Sequence, residues 1–256
     1  MKYLGKNEIT NIKRNKEVLG LNKYYNYNYF SINKTTTLKF SGTDLFIYIL
    51  SCKDKNSKIF IKDKSAILIK DELLRIKKNK SETIKISTNS KVIMLAVYKS
   101  SALTNINNSH IRKIKNIYTV IKPWGYEKWL TGSVNKNFAF KKIFLKRGTK
   151  TSLQYHVKKV ETNFLFEGKA KLHFLDKKIS LNKKNFLKIK NAVKNKKLNS
   201  GSIINVRPKT IHRLQAVSNL MLYEVSSPHL SDVIRVSDEN NRPDGKIENE
   251  HKRSAS

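Results

Sequence analysis

The sequence predicts an all-β protein, a sandwich or barrel of short strands, and three observations carry that prediction. Apolar runs of about four to eight residues recur along nearly the whole chain. Glycine and proline are scarce, with 9 and 4 in 256 residues, and Asn, Lys, Asp and Ser fill the gaps between runs. Apolar positions repeating at the 3.6-residue period of a helix are hard to find.

The strands expected in the first half are TTTLKF (35–40), LFIYIL (45–50), SKIFI (57–61), SAILI (65–69), TIKIS (83–87) and KVIMLAVY (91–98). In the second half they are FAFKKIFL (138–145), NFLFEG (163–168), AKLHFL (170–175), SIINV (202–206), HRLQAV (212–217) and LMLYEVS (220–226). Each is rich in the β-branched and aromatic residues that suit a pleated, half-buried surface. Helix is expected only over DELLRIKKNK (71–80), over 182–196, and in a short N-terminal piece.

The strand series occurs twice. LFIYILSCKDKNSKIFI (45–61) lines up with NFLFEGKAKLHFL (163–175), and ETIKISTNSKVIMLAVYKSS (82–101) with GSIINVRPKTIHRLQAVSNLMLYEVSSP (201–228). Two related β-sandwiches follow: a domain over 1–104, a linker over 105–117, a second domain over 118–243 and a polar tail over 244–256, expected to be disordered. The halves differ in chemistry. No histidine precedes His110, so metal or acid–base work by imidazole belongs to the second half.

The formal charge is +34, from 53 basic and 19 acidic residues. Of the basic residues 44 are lysine and 9 arginine, and asparagine reaches 27, the bias of an AT-rich genome displayed on solvated faces. The densest basic segment, 176–199, has one aromatic among nine lysines. It lacks the arginines and stacking rings that read bases. No specific nucleic-acid partner is expected, only weak attraction to polyanions. The longest apolar run, LFIYIL, is far short of the ~20 residues of a membrane helix, so no membrane span is expected. MKYLGKNEIT contains no apolar segment of a signal peptide, and the single cysteine, Cys52, suits a reducing cytosol. The expected location is cytoplasmic.

Chemistry concentrates in GTKTSLQYHVKKVETNFLFEG (148–168). Gln154 and His156 are two apart and leave the same face of a strand, and Glu161 returns after a basic turn. Downstream, GSIINVRPKTIHRL (201–214) brings His212 on a second strand. An amide oxygen, two ring nitrogens and a carboxylate make a mixed set suited to one divalent ion, Zn²⁺ first, with Fe²⁺, Mn²⁺ or Ni²⁺ as alternatives. One anionic ligand leaves such an ion positive, a Lewis acid.

The spacing resembles the cupin superfamily, whose first motif runs Gly, five residues, His-x-His, three or four residues, Glu, six residues, Gly. Here Gly148, Gln154, His156, Glu161 and Gly168 fit that frame with Gln in place of the first His, and Pro208 and His212 stand in the second motif. SLQYH (152–156), with KPWGYEKW (122–129), HRLQA (212–216) and YEVSSPHLSDVIRVSDENNR (223–242), resembles the phosphomannose-isomerase branch over about 118–243. The resemblance implies a cupin jelly roll, bicupin-like with a degenerate N-terminal half. It also implies a metal-dependent sugar or sugar-phosphate isomerase working through an enediolate. Within that branch Lys158, Lys159 and Thr162 replace His, Arg and His.

For the proton transfers the candidates are Glu224 and Lys141, the resemblance favouring Lys141 over its neighbour Lys142. Arg213 and Arg235 have the guanidinium fork that takes phosphate or carboxylate. His110, His173, His229 and His251 read as structural, and Trp124 and Trp129 as packing residues rather than sugar-stacking ones. A carbohydrate-binding bicupin without catalysis, or a cupin epimerase or lyase, is the alternative, because one fold hosts many reactions. A homodimer is the oligomer considered.

Overall fold

The computed structural model describes residues 8–100, 106, 108–132, 135–175 and 179–247. It contains 23 strands and one short α-helix. The chain divides into two units, Lys13–Ile117 and Tyr118–Ser256 joined by Met1–Ile12. In chain order, β1 (Ile9–Asn11) belongs to the second of these.

The unit over 13–117 holds β2 (Lys16–Leu21), β3 (Asn26–Ile32), β4 (Thr36–Leu38), β5 (Asp44–Cys52), β6 (Lys58–Ile61), β7 (Lys64–Ile67), β8 (Leu73–Lys77), β9 (Ile84–Ser87), β10 (Val92–Tyr98) and β11 (His110–Ile114). One sheet runs β11-β8-β5-β10-β3-β2 and the other β4-β9-β6-β7, with every pairing antiparallel. Its buried apolar residues form one cluster, among them Phe30, Leu45, Ile47, Ile49, Leu74, Ile84, Met94 and Ala96.

The other unit continues with β12 (Tyr118–Lys122), β13 (Gly125–Trp129), β14 (Ala139–Leu145), β15 (Leu153–Tyr155), β16 (Glu161–Glu167), β17 (Lys169–Phe174), α1 (Phe186–Ala192), β18 (Lys194–Asn199), β19 (Ser202–Val206), β20 (His212–Ala216), β21 (Leu220–Ser226), β22 (Ile234–Ser237) and β23 (Gly245–Lys246). Its sheets run β1-β19-β16-β21-β14-β13-β12 and β18-β17-β20-β15-β22-β23. The order β8-β5-β10-β3-β2 in one unit thus matches β19-β16-β21-β14-β13 in the other, and β4-β9-β6-β7 matches β15-β20-β17-β18. The two units are repeats of one strand plan.

All twelve expected strands form. DELLRIKKNK does not make a helix. Leu73, Leu74 and Ile76 are fully buried in β8, which is hydrogen-bonded on both edges, to β5 and β11. Pairing on two sides outweighs a helical propensity that is worth only tenths of a kcal/mol per residue. Within 182–196 the helix is confined to α1, where Phe186 and Ile189 are buried three residues apart, and Asn182 caps the preceding turn through its side chain. The N-terminal helical expectation falls mainly on residues 1–7, outside the described residues, as do His251 and 248–256 of the expected tail. In the stretch read as a linker, β11 pairs with β8. In the stretch read as tail, β23 pairs with β22. No helix among the described residues is long and apolar enough to cross a membrane.

Candidate metal centre and active site

Alternation along the strands of the second unit separates its interior into an apolar end and a polar end. On β14, Leu145 and Ile143 are followed on the same face by Lys141; on β21, Leu220 and Leu222 by Glu224; on β16, Leu165 is preceded by Asn163 and Glu161. Leu145, Ile143, Leu165, Leu220 and Leu222 pack in one cluster with Trp124, Ala216 and Leu214. The polar residues open into a pocket of about 90 Å³ whose walls include Lys141, Gln154, Lys159, Glu161, His212 and Glu224.

Glycine conformation sets the ends of the first motif. Gly148 has φ 83° and Gly168 φ 97°, in the left-handed region that favours glycine. A Cβ on Gly168 would sit 2.2 Å from the carbonyl oxygen of Asn219, so no side chain fits there.

Between the glycines, β15 sets Gln154 opposite His212 of β20. The chain then turns at 157–160. The Asp232 carboxylate holds this turn by accepting from the backbone N–H groups of Val157 (3.0 Å), Lys158 and Lys159 (2.9 Å). Burial raises Asp232, but these three donors pull its carboxyl below the ordinary aspartate value. The hydroxyl of Ser227 accepts from the Val160 N–H at 3.1 Å, and Glu161 opens β16.

The result is a cluster of His156, Glu161 and His212, all buried, with donor atoms within 4.8 Å of one another. The Nδ1–H of His156 donates to the Asp232 carbonyl, and the Nδ1–H of His212 to the Thr210 carbonyl at 3.0 Å. Both rings therefore turn Nε2 toward Glu161, that of His156 at 3.1 Å from Oε1 and that of His212 at 3.4 Å from Oε2. The Nε2 of His156 is buried without a hydrogen-bond partner. In its neutral form each ring, with Nδ1 donating, offers an Nε2 lone pair to a cation beside Glu161. Ligands about 2.1 Å from a common ion lie about 3.0–3.4 Å apart, the spacing of the two histidine–glutamate contacts. Backbone carbonyls that fix each ring through Nδ1 are the usual support of metal-binding histidines. The donor set fits a divalent ion held by His156, Glu161 and His212, with Gln154 at the pocket wall beside them.

A ladder of alternating charge leads away from this cluster. The Lys159 ammonium contacts Glu161 and lies 3.1 Å from Glu224. Lys141 lies 3.8 Å from Glu224 and 3.2 Å from Glu127. Lys141 also sits 4.2 Å above the Trp129 ring, whose indole N–H donates to Glu127 at 3.2 Å. Burial alone would lower the Lys159 amine, but the carboxylates of Glu161 and Glu224 reverse that and raise it above the ordinary lysine value. Glu161 shows the converse: burial raises it, while Lys159 and the two imidazoles drive it well below the usual carboxylate range.

Of the residues proposed from sequence, the fold brings together Gln154, His156, Glu161, His212, Lys141 and Glu224. It sets Arg213 and Arg235 elsewhere. Arg213 is bound to Glu239 at 3.0 Å and to the Ser237 carbonyl at 3.1 Å. Arg235 is bound to Ser152 at 3.1 Å and the Pro243 carbonyl at 2.8 Å. Neither lines the pocket; Arg242 does, held by Asp238 and Ser152. His173 is paired with Gln215 at 2.9 Å and His229 with Ser227 at 2.9 Å, both away from the cluster.

Residues 107–220 match the family model described as mannose-6-phosphate isomerase C-terminal. The fold is similar to that of an oxalate decarboxylase from Lactobacillus farciminis in a formate complex, at 10% identity over 82% of this chain and 79% of that one, TM-score 0.56. The chain has the cupin fold. Its all-β sandwich plan also resembles vicilin from hazelnut, Corylus avellana, at 9% identity over 84% and 78% of the two chains, TM-score 0.58. A third cupin of similar fold is the Bacillus subtilis oxalate decarboxylase studied for its Mn(II) centres, at 10% identity over 82% and 71%, TM-score 0.51. No curated protein sequence matches significantly.

Proposed function

We propose that this cupin-fold protein is a cytosolic, metal-dependent isomerase that interconverts an aldose and a ketose, as sugars or sugar phosphates, through an enediolate. The observation that carries this reading is the direction of the two imidazoles. Both are locked with Nε2 toward Glu161, at the wall of a pocket that also holds a carboxylate, Glu224, and two ammonium groups, Lys141 and Lys159. Zn²⁺ is the first candidate ion, and the Mn(II) centres of a similarly folded cupin make Mn²⁺ the second. When bound, the ion would supply Lewis-acid stabilisation of negative charge on a substrate oxygen.

The chain's own groups do the rest. Glu224 takes the proton from the carbon beside the carbonyl and returns it to the former carbonyl carbon, while the proton of the neighbouring hydroxyl passes to the former carbonyl oxygen. Lys141 and Lys159 place positive charge beside the oxygens that become negative. Trp124, Leu145 and Leu222 close the pocket's apolar end and keep water from the carbanionic carbon. Arg242, rather than Arg213 or Arg235, faces an anionic group of the substrate.

The test is metal content together with hydrogen exchange. Purified protein is expected to carry about one divalent ion per chain, lost in the His156→Ala/His212→Ala double variant. It is expected to wash deuterium from solvent into C2 of mannose or glucose 6-phosphate, or into C1 of fructose 6-phosphate. A folded wild type that binds no ion would sink the reading. One observation favours a second reading, a carbohydrate-binding cupin without turnover: Glu224 is already engaged by two ammonium groups. Metal bound without any exchange across the sugar panel would select it.

A further inference from the structure

Resting on that metal-centre reading, we propose that Lys159 is a built-in competitor of the metal, whose ammonium neutralises Glu161 and which a divalent ion must displace toward Glu224. Lys159 is 4% exposed, and its amine is bonded to Glu161 and to Glu224. Glu161 is the anionic member of the candidate ligand set. A divalent ion on the Glu161 oxygens and an ammonium on the same oxygens would be like charges a few ångströms apart in a dry site. Repulsion at that range is large.

The structure also offers the displaced amine a place to go. Glu224 already accepts it at 3.1 Å, so a small swing of the butyl chain leaves Glu161 while keeping a carboxylate partner. Beyond Glu224 the next cation is Lys141, itself shared with Glu127. The ladder can shift toward Glu127 without stranding a charge. Two consequences follow. The buried Glu161 has a counter-charge whether or not an ion is present, so the fold is not tied to metal supply. Binding of an ion releases the Lys159 ammonium, which already stands at the pocket wall, from Glu161, so that it can meet a substrate oxygen.

The full-length protein, stripped with chelator, is titrated with Mn²⁺ and with Zn²⁺ against a chromophoric competitor. Lys159→Met and Lys159→Gln are expected to bind each ion about tenfold more tightly or better, and Lys159→Arg to stay near wild type. In thermal melts, adding Mn²⁺ should raise the melting temperature of both neutral variants more than that of the wild type. The glutamine variant keeps hydrogen bonds to both carboxylates, so it serves if the methionine variant does not fold. Wild type that binds ions as tightly as both neutral variants, or more tightly, overturns the proposal and leaves the metal-centre reading standing. Folded protein that binds no ion in wild type or variant overturns both.

Discussion

The two units use one strand plan for opposite ends, and aligned positions show how little separates them. In each, the fifth residue of a seven-residue strand sits at the middle of the main sheet: Ala96 in β10, Glu224 in β21. Ala96 is flanked by Asn28 and Ile47; Glu224 is flanked by Lys141 and Asn163. The seventh residues, Tyr98 and Ser226, face Leu45 and Glu161. The strands β9 and β20 open with Ile84 and His212. Leucine, isoleucine and alanine thus occupy in one unit the places of glutamate, histidine and glutamate in the other. The comparison teaches that the sandwich needs filled space at these positions and no particular chemistry. The polar end of the second unit is carried at a cost the first unit avoids.

The sharpest way to break this comparison is to move one charge across. Ala96→Glu puts a carboxylate into a core with no lysine ladder, and it should destabilise by more than about 4 kcal/mol in urea unfolding followed by circular dichroism. A loss below about 1 kcal/mol would mean that the first unit already admits water and the contrast fails. Next comes Lys141→Met, which removes the ammonium that Glu127 and Glu224 share. It should cost about 3–5 kcal/mol, and adding Glu127→Leu should restore most of the loss, since a buried pair replaced whole by apolar groups is close to neutral.

The smallest effect is the acid limb. Asp232 in one unit lies below its ordinary 3.8, and Glu82 in the other is lowered from 4.5 to about 2 by Lys62, Ser109 and Asn79 against the effect of burial. A carboxylate depressed in the folded state stabilises above its unfolded value and loses that contribution as pH falls through the folded one. Melting temperature should therefore decline below about pH 4.5. Asp232→Asn should flatten the decline only for the unit that holds the metal-type cluster, and Glu82→Gln only for the other. Equal flattening of both by either change would couple the two units.

Much of this was legible in the sequence because it rests on local rules. The recurrence of short apolar runs gave away the twelve strands, and the glycine frame singled out Gln154, His156 and Glu161, which the fold places on one pocket wall or in one cluster. What escaped depends on contacts distant in sequence. Glu127 shares a face with Trp129 in KPWGYEKW, a visible signal, but only the β13–β14 register brings it to Lys141. Lys159 looks like one more surface lysine. The turn that points it inward is held by Asp232, more than seventy residues away. Arg213 and Arg235 were plausible anion binders by type, yet their forks are taken by Glu239, Ser152 and nearby carbonyls. The strand in DELLRIKKNK was hidden because two neighbours in the sheet decide it.

The short strand β1 has a consequence for how the chain reaches its final form. Ile9, Thr10 and Asn11 hydrogen-bond along Ile204, Ile203 and Ser202, closing a loop of about two hundred residues, among the costliest contacts in the molecule to bring together. During synthesis β1 must wait for β19, made about two hundred residues later. Until it docks, β19 presents a bare edge to any passing strand. Cutting the gene midway between the repeats would therefore not release a finished half.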